Sequence, residues 1–134
     1  MEHFSPYNIT ILVSGIVGFM LFTQLTIADL IALKEKHTPG YPIKPNHKNF
    51  LFRAVRAHSN SNESIGIFIL FVFFGIFSGC DPQWLNILSS TYLIGRIAHM
   101  FFYYANIGLA RSVSFGLILI SLLGMFVVSI LMWF

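Results

Sequence analysis

Polar side chains recur at helical spacing in two otherwise apolar stretches of this sequence. In the first stretch they follow one another at intervals of three and four residues: Arg53, Arg56, Asn60 and Glu63. In the second stretch the same intervals separate Arg96, His99 and Tyr103. Residues at these intervals lie on one face of an α-helix. Because guanidinium groups pair strongly with carboxylates, a cationic set with a single acid favours a site for a small anionic or zwitterionic ligand.

A structural interpretation of the same residues stays open. Polar contacts between membrane helices are common and contribute about 0.6–2 kcal/mol each, and Glu63 would then be the counter-ion of Arg56 or Arg96. The number of arginines exceeds what helix packing requires, because charge inside a bilayer is costly. A metal site is not expected, since His58 and His99 have no third partner at ligand spacing.

Composition places these polar residues in a membrane protein. Of the 134 residues, 56% are hydrophobic and 10% are charged, whereas a soluble domain carries roughly 25% charged residues. The apolar residues also form runs of about 20 residues, the length that crosses a bilayer. The sequence therefore predicts an all-α membrane protein, in which one domain over residues 1–134 forms a four-transmembrane-helix bundle.

The four predicted spans differ in how much of their length is apolar. Three are long enough to cross the bilayer directly: Ile9–Leu33, Trp84–Tyr104 and Ser114–Phe134. The apolar part of the second span, Ile65–Phe77, covers only about 20 Å at 1.5 Å per residue. This helix must therefore extend back through Arg56, which puts its polar face at membrane depth. Polar groups at that depth must face protein or a water-filled cavity.

The basic residues predict the orientation of the bundle. The first connection and its edges contain most of them: Lys34, Lys36, Lys44, Lys48, Arg53 and Arg56. Arg111 is assigned to the third connection, and the second connection, residues 78–83, has no Lys or Arg. The positive-inside rule then puts the first and third connections in the cytosol and both termini on the non-cytosolic side. The net charge of +3 is thus a topology signal, and no nucleic-acid partner is expected.

Two motifs resemble those of a known family. Residues 53–63, read as RAVRAHSNSNE, resemble the R-x-x-R-A-H-x-N-x-x-E signature of the MAPEG family, the membrane-associated proteins of eicosanoid and glutathione metabolism. Residues 95–103 and 110–113 look like the third-helix and fourth-helix pattern of its microsomal glutathione transferases and prostaglandin E synthase. The resemblance implies a homotrimer of four-helix subunits that holds glutathione between neighbouring subunits near the cytosolic face.

The resemblance also implies roles for individual residues. The expected glutathione-binding residues are Arg53, Arg56, Asn60, Glu63, Arg96, His99 and Tyr103. The expected catalytic residues are Arg111, beside the glutathione sulfur, and the neighbouring hydroxyl of Ser112. A guanidinium beside a thiol favours the thiolate, which is the nucleophile. The implied function is a glutathione-dependent transferase, with peroxidase activity as a further expectation, whose other partners are a lipophilic electrophile and membrane lipid.

Two other functions stay open. The sequence departs from the family pattern at Phe115, which replaces a Tyr, and at Ala32 and Leu33, near which several catalytic members have an arginine. A non-catalytic family member that binds a lipid or a partner protein is therefore one alternative. The other is a small proton-coupled multidrug transporter, which would need a carboxylate in the middle of the first helix, whereas Asp29 lies near its end. The short connections favour a bacterial inner (plasma) membrane over the endoplasmic reticulum.

Overall fold

Four long helices form the protein. The computed structural model describes the backbone of residues 2–134 and the side chains of residues 5–134. Over that part of the chain every regular element is helical. The elements in order are a short 3-10 helix Glu2–Tyr7, α1 Asn8–Lys34, α2 Phe50–Phe77, α3 Pro82–Tyr104, α4 Gly108–Ile130 and a 3-10 turn Leu131–Trp133. The expected all-helical architecture is confirmed, and α2 does extend back past its apolar part.

The start of α4 differs from the sequence prediction. The helix begins at Gly108 rather than at Ser114, so Arg111 lies in its first turn and not in the third connection. The connection is short because Asn106 adopts a left-handed backbone conformation, with φ of 59°, which ends α3 abruptly. Ile107 then has an extended backbone and precedes the first residue of α4. Arg111 is therefore held by a regular helix.

Three helical segments are long and apolar enough to cross a membrane: Ser5–Lys34, Phe50–Phe77 and Gly108–Trp133. The third long helix, α3, is not among them because polar side chains lower its hydropathy. Three of these side chains, Ser89, Arg96 and His99, are buried against the other helices. The crossing of the bilayer by α3 stays a prediction, as do the side of the membrane on which the termini lie and the homotrimer.

The helix pair α3 and α4 has the most extensive contact in the bundle. Its core includes Leu85, Ile118 and Met125, which are fully buried. Gly95 of α3 allows a close approach, since a Cβ atom there would lie 2.9 Å from Cγ1 of Ile118 and 3.5 Å from the Ser114 carbonyl oxygen. This close packing determines where the polar residues of α3 lie relative to the start of α4.

The side chain of Asn86 joins α1 to α3 at the end of the bundle opposite the long connection. Its Oδ1 accepts hydrogen bonds from the Thr10 backbone N–H at 3.0 Å and from the Thr10 hydroxyl at 2.8 Å. Its Nδ2 donates to the carbonyl oxygen of Pro6 at 3.0 Å. The first turn of a helix has backbone N–H groups without helical partners, so Asn86 serves α1 as a cap supplied from another helix.

The long connection, residues 35–49, is tied to the bundle at its ends. Asn49 Oδ1 accepts a hydrogen bond from the Phe52 N–H at 3.0 Å and caps α2, while its Nδ2 donates to Glu35 Oε2 at 3.1 Å. Arg53 donates to the carbonyl oxygens of His47 at 2.6 Å and Tyr104 at 3.1 Å. The beginning of α2, the end of α3 and the connection therefore hold one another in place.

Candidate functional site

A cavity of about 220 Å³ opens between α2, α3 and α4 in the half of the bundle nearer the long connection. Residues from all three helices line it: Asn60 from α2, His99 and Tyr103 from α3, and Arg111, Ser112 and Phe115 from α4. All of them except Phe115 belong to the set expected from the sequence. The tertiary structure thus gathers residues that are more than fifty positions apart in the chain around one small polar cavity.

The catalytic candidates lie at the start of α4. The Arg111 guanidinium carbon is 4.4 Å from the ring centroid of the buried Tyr103, which is within the range of a favourable cation–π contact. The Ser112 side chain is exposed, and its hydroxyl donates to the Gly108 carbonyl oxygen at 3.2 Å. The N-terminus of a helix carries a partial positive charge. The guanidinium and this dipole therefore both favour negative charge at the start of α4.

Arg96 lies behind the cavity and is only 1% exposed. Its Nη1 donates to Asn60 Oδ1 at 2.8 Å, and its Nη2 donates to Ser64 Oγ. Its guanidinium carbon lies 5.5 Å from the centroid of the Tyr92 ring. Both hydrogen-bond partners are neutral, so Glu63 is not the counter-ion that the structural interpretation proposed for Arg96. Among the side chains of residues 5–134, no anion is hydrogen-bonded to Arg96 to compensate its positive charge.

Arg56 and Glu63 share the polar face of α2 but are exposed and lie outside the residues that line the cavity. Glu63 remains connected to it, because Asn60 Nδ2 donates to Glu63 Oε2 at 3.4 Å. Polar groups at membrane depth must face protein or water rather than lipid. In this structure Arg56 and Glu63 therefore form a polar part of the α2 surface that the rest of the chain leaves uncovered.

Arg53 is another expected site residue that does not line the cavity. Besides its two hydrogen bonds to backbone carbonyl oxygens, its guanidinium carbon lies 5.3 Å from the centroid of the Phe50 ring. Within the chain Arg53, at the beginning of α2, thus joins the long connection to the end of α3. Contact of Arg53, Arg56 or Glu63 with a ligand stays a prediction.

Three residues at this site are absent from the set expected to bind or react: Ser64, Tyr92 and Phe115. The first two extend the polar stripes by four residues, since Ser64 follows Asn60 and Tyr92 precedes Arg96 at that interval. Helical spacing could therefore have placed Ser64 and Tyr92 on the same polar faces. Phe115 follows Arg111 at the same interval but is apolar, so the polar pattern did not select it, and its place in the cavity depends on how α4 is rotated against α3.

Asp29, the residue on which a transporter mechanism would depend, lies elsewhere. It is exposed and lines a separate cavity of about 490 Å³ between α1 and the long connection. Its neighbours there include His37, Pro39 and Ile43. No observation connects this carboxylate with the polar cavity of α2, α3 and α4.

Comparison with known families bears on the same residues. A model of the MAPEG family matches residues 9–131, which include both polar motifs and the core of all four helices. The chain belongs to the MAPEG family. No curated protein is similar enough to this MAPEG chain to count as a match.

Membership in the MAPEG family confirms the resemblance carried by residues 53–63 and 95–113. Together with the three long apolar helices, it makes the chain an integral membrane protein. As a MAPEG protein it is a member of a membrane family of glutathione and eicosanoid metabolism.

Proposed function

We propose that this MAPEG protein is a glutathione-dependent transferase that conjugates lipophilic electrophiles, with peroxidase activity at the same site. The observation that carries the proposal is the cavity between α2, α3 and α4, where Arg111 and Ser112 lie beside Asn60, His99 and Tyr103. We assign Arg111 and Ser112 to stabilisation of the glutathione thiolate, and the polar residues of α2 and α3 to binding of the tripeptide.

The charges of the site support this ligand. Glutathione has two carboxylates, one ammonium group and a thiol. Arg111 at the cavity and Arg96 behind it supply positive charge, and Glu63, hydrogen-bonded to Asn60, supplies a single carboxylate nearby. Charge-assisted hydrogen bonds of this kind are about twice as strong as neutral ones. A zwitterion with excess negative charge therefore matches the site better than a neutral lipid does.

The size of the cavity supports a site shared between subunits of a homotrimer. Its volume of about 220 Å³ is below the roughly 300–1,000 Å³ of typical small-molecule sites. The exposed Arg56 and Glu63 lie on the neighbouring part of α2, which needs cover at membrane depth. A second subunit packed against α2 would enlarge the site and bring Arg56 and Glu63, and Arg53 at its edge, toward the ligand.

We propose that all four helices cross the bilayer, with both termini on the non-cytosolic side, in a bacterial inner membrane.

The chemistry requires the thiol proton to leave first. A free thiol has a pKa of about 8.5 and is mostly protonated at neutral pH, and a guanidinium beside it lowers that value. In conjugation the thiolate forms a bond to carbon and the leaving group departs with its electron pair. In peroxide reduction the thiolate attacks the terminal peroxide oxygen and the O–O bond breaks, so that the sulfur becomes a sulfenic acid and the leaving alkoxide takes up a proton to become an alcohol. A second glutathione then converts the sulfenic acid to a disulfide and water.

The test compares Arg111→Ala with Lys48→Ala, a control that removes one positive charge from an exposed position in the long connection. Proteins purified in detergent are titrated with glutathione, thiolate formation is followed by ultraviolet absorbance, and conjugation is measured with chlorodinitrobenzene. Loss of the guanidinium should return the bound thiol toward its ordinary pKa, leaving a thiolate fraction about 30-fold lower near pH 7. Lys48→Ala should match the natural chain, and both variants should form the same oligomer.

Each other result has a definite meaning. Equal turnover by Arg111→Ala and Lys48→Ala would rule out the role of Arg111. Absence of glutathione binding by the natural chain would rule out the proposed function. Glutathione binding without turnover on electrophiles and on cumene hydroperoxide would favour the non-catalytic alternative, a MAPEG protein that binds a lipid or a partner protein.

A further inference from the structure

We propose that Arg96 is a positioning residue, which holds the side chain of Asn60 in its ligand-binding orientation and is itself held from behind by Ser64 and Tyr92. The inference rests on the proposed function, because the ligand in question is glutathione. It changes the role expected for Arg96 from the sequence, which was direct contact with that ligand.

Burial is the first reason to separate Arg96 from the ligand. Its side chain is 1% exposed and is not among the residues that line the cavity, whereas Asn60 is one of them. The two are joined by the hydrogen bond from Arg96 Nη1 to Asn60 Oδ1, 2.8 Å long. Arg96 can therefore affect a bound molecule through Asn60, without touching it.

The direction of this hydrogen bond determines what Asn60 presents to the cavity. A guanidinium only donates hydrogen bonds, whereas an amide has one accepting and one donating end. With Oδ1 bound to Arg96, the NH₂ group of Asn60 points away from Arg96, and one of its hydrogens is directed to Glu63 Oε2 at 3.4 Å. The second hydrogen is left for an acceptor such as a glutathione carbonyl or carboxylate. Without Arg96 the amide could rotate and present its oxygen instead.

Arg96 is fixed on its other side by a buried pair of hydroxyl groups. Its Nη2 donates to Ser64 Oγ, and Ser64 Oγ lies 2.7 Å from the hydroxyl oxygen of Tyr92. The ring of Tyr92 is stacked on Phe68, with centroids 4.3 Å apart and planes inclined by 10°. Both rings are almost fully buried, so Tyr92 has little freedom to move. A continuous series of contacts thus runs from the apolar core through Ser64 and Arg96 to the cavity.

Helix packing alone does not account for this series. Burying an arginine without an anionic partner is costly, and neutral side chains could join α2 to α3 at lower cost. Ser61 provides the comparison, because it is also buried on α2 but its hydroxyl donates to the Ala57 carbonyl oxygen of its own helix at 3.1 Å. Ser61 and Ser64 are therefore matched in type and burial and differ in their connection to Arg96 and Tyr92.

The test measures glutathione affinity and turnover of the full-length protein in detergent for Ser64→Ala and the control Ser61→Ala. A side-chain hydrogen bond to a charged group contributes enough that its loss should raise the Kd of Ser64→Ala about five- to ten-fold. The Kd of Ser61→Ala should stay within about two-fold of the natural value. At saturating glutathione kcat should be nearly unchanged in both variants, because Arg111 and Ser112 keep their places on α4.

A double variant separates positioning from a general structural role. If Ser64 acts through Arg96 and Asn60, then adding Ser64→Ala to Asn60→Ala should raise Kd no further, since the two changes break one series of contacts. If the two substitutions acted independently, their fold-increases in Kd would multiply. Thermal melting of each protein shows whether the fold is preserved. If Ser64→Ala does not fold, Tyr92→Phe, which removes one oxygen from the same series, takes its place in both comparisons.

The results distinguish failure of this inference from failure of the proposed function. Equal Kd values for Ser64→Ala and Ser61→Ala, or multiplied losses in the double variant, would overturn the positioning role while glutathione binding stands. If the natural chain does not bind glutathione, the proposed function and the positioning role for this ligand are both overturned.

Discussion

Substitution of Gly95 tests the close packing that places Arg111 beside Tyr103. Gly95 lies on α3 and faces Ile118 of α4, where an added Cβ atom would be 2.9 Å from Cγ1 of Ile118 and 3.5 Å from its backbone nitrogen. Ile118 is fully buried, and its β-branched side chain has little rotational freedom. The contact in Gly95→Ala can therefore be relieved mainly by moving α4 away from α3.

The size of the effect follows from a matched comparison. Overpacking a core by one methyl group typically costs about 1–3 kcal/mol, but replacing a helical Gly by Ala also contributes up to about 1 kcal/mol of helix propensity. Gly116→Ala on α4 is the control, because its Cβ would have no neighbour within 4 Å among the described residues. The propensity gain is common to both variants, so their difference isolates the overpacking cost. At about 4 °C per kcal/mol, Gly95→Ala should melt about 4–12 °C below Gly116→Ala.

The assay is thermal unfolding of both variants in the same detergent, followed by tryptophan fluorescence. Separation of α3 from α4 should also lengthen the distance from Arg111 to the Tyr103 ring, now 4.4 Å, and weaken glutathione binding in Gly95→Ala. Melting temperatures within about 1 °C of each other would mean an overpacking cost well below 1 kcal/mol. That result would refute the claim that Gly95 determines how closely the two helices approach.

Two further predictions concern the half of the bundle away from the candidate site. Cys80 is fully buried in the connection between α2 and α3, and burial raises the pKa of its thiol. A charged maleimide at neutral pH should therefore label the unfolded chain but not the native protein, and rapid labelling of native protein would contradict this. Asn86→Ala should lower the stability by about 2 kcal/mol, because it removes the hydrogen bonds to Thr10 and Pro6. Thr91→Ala, whose hydroxyl bonds within its own helix, is the control in the same thermal assay, and equal melting temperatures would count against the cap.

The helices and their polar faces could be predicted from the sequence because both depend on local patterns. Runs of apolar residues indicate long helices, and intervals of three and four residues indicate a shared face. The same reasoning correctly extended α2 beyond its apolar part. It failed at the start of α4, where Arg111 interrupts the apolar run and the left-handed conformation of Asn106 has no strong sequence signal. The prediction from hydropathy alone therefore placed the start of the helix at Ser114.

The tertiary structure decided what each arginine does. Arg53, Arg56 and Arg96 look alike in the sequence, as cationic members of polar helical faces. In the folded chain Arg53 binds the carbonyl oxygen of Tyr104, Arg56 is exposed, and Arg96 is buried against Asn60 and Ser64. These differences depend on the rotation and depth of one helix against another. Such quantities arise from packing between residues far apart in the chain, and local spacing does not determine them.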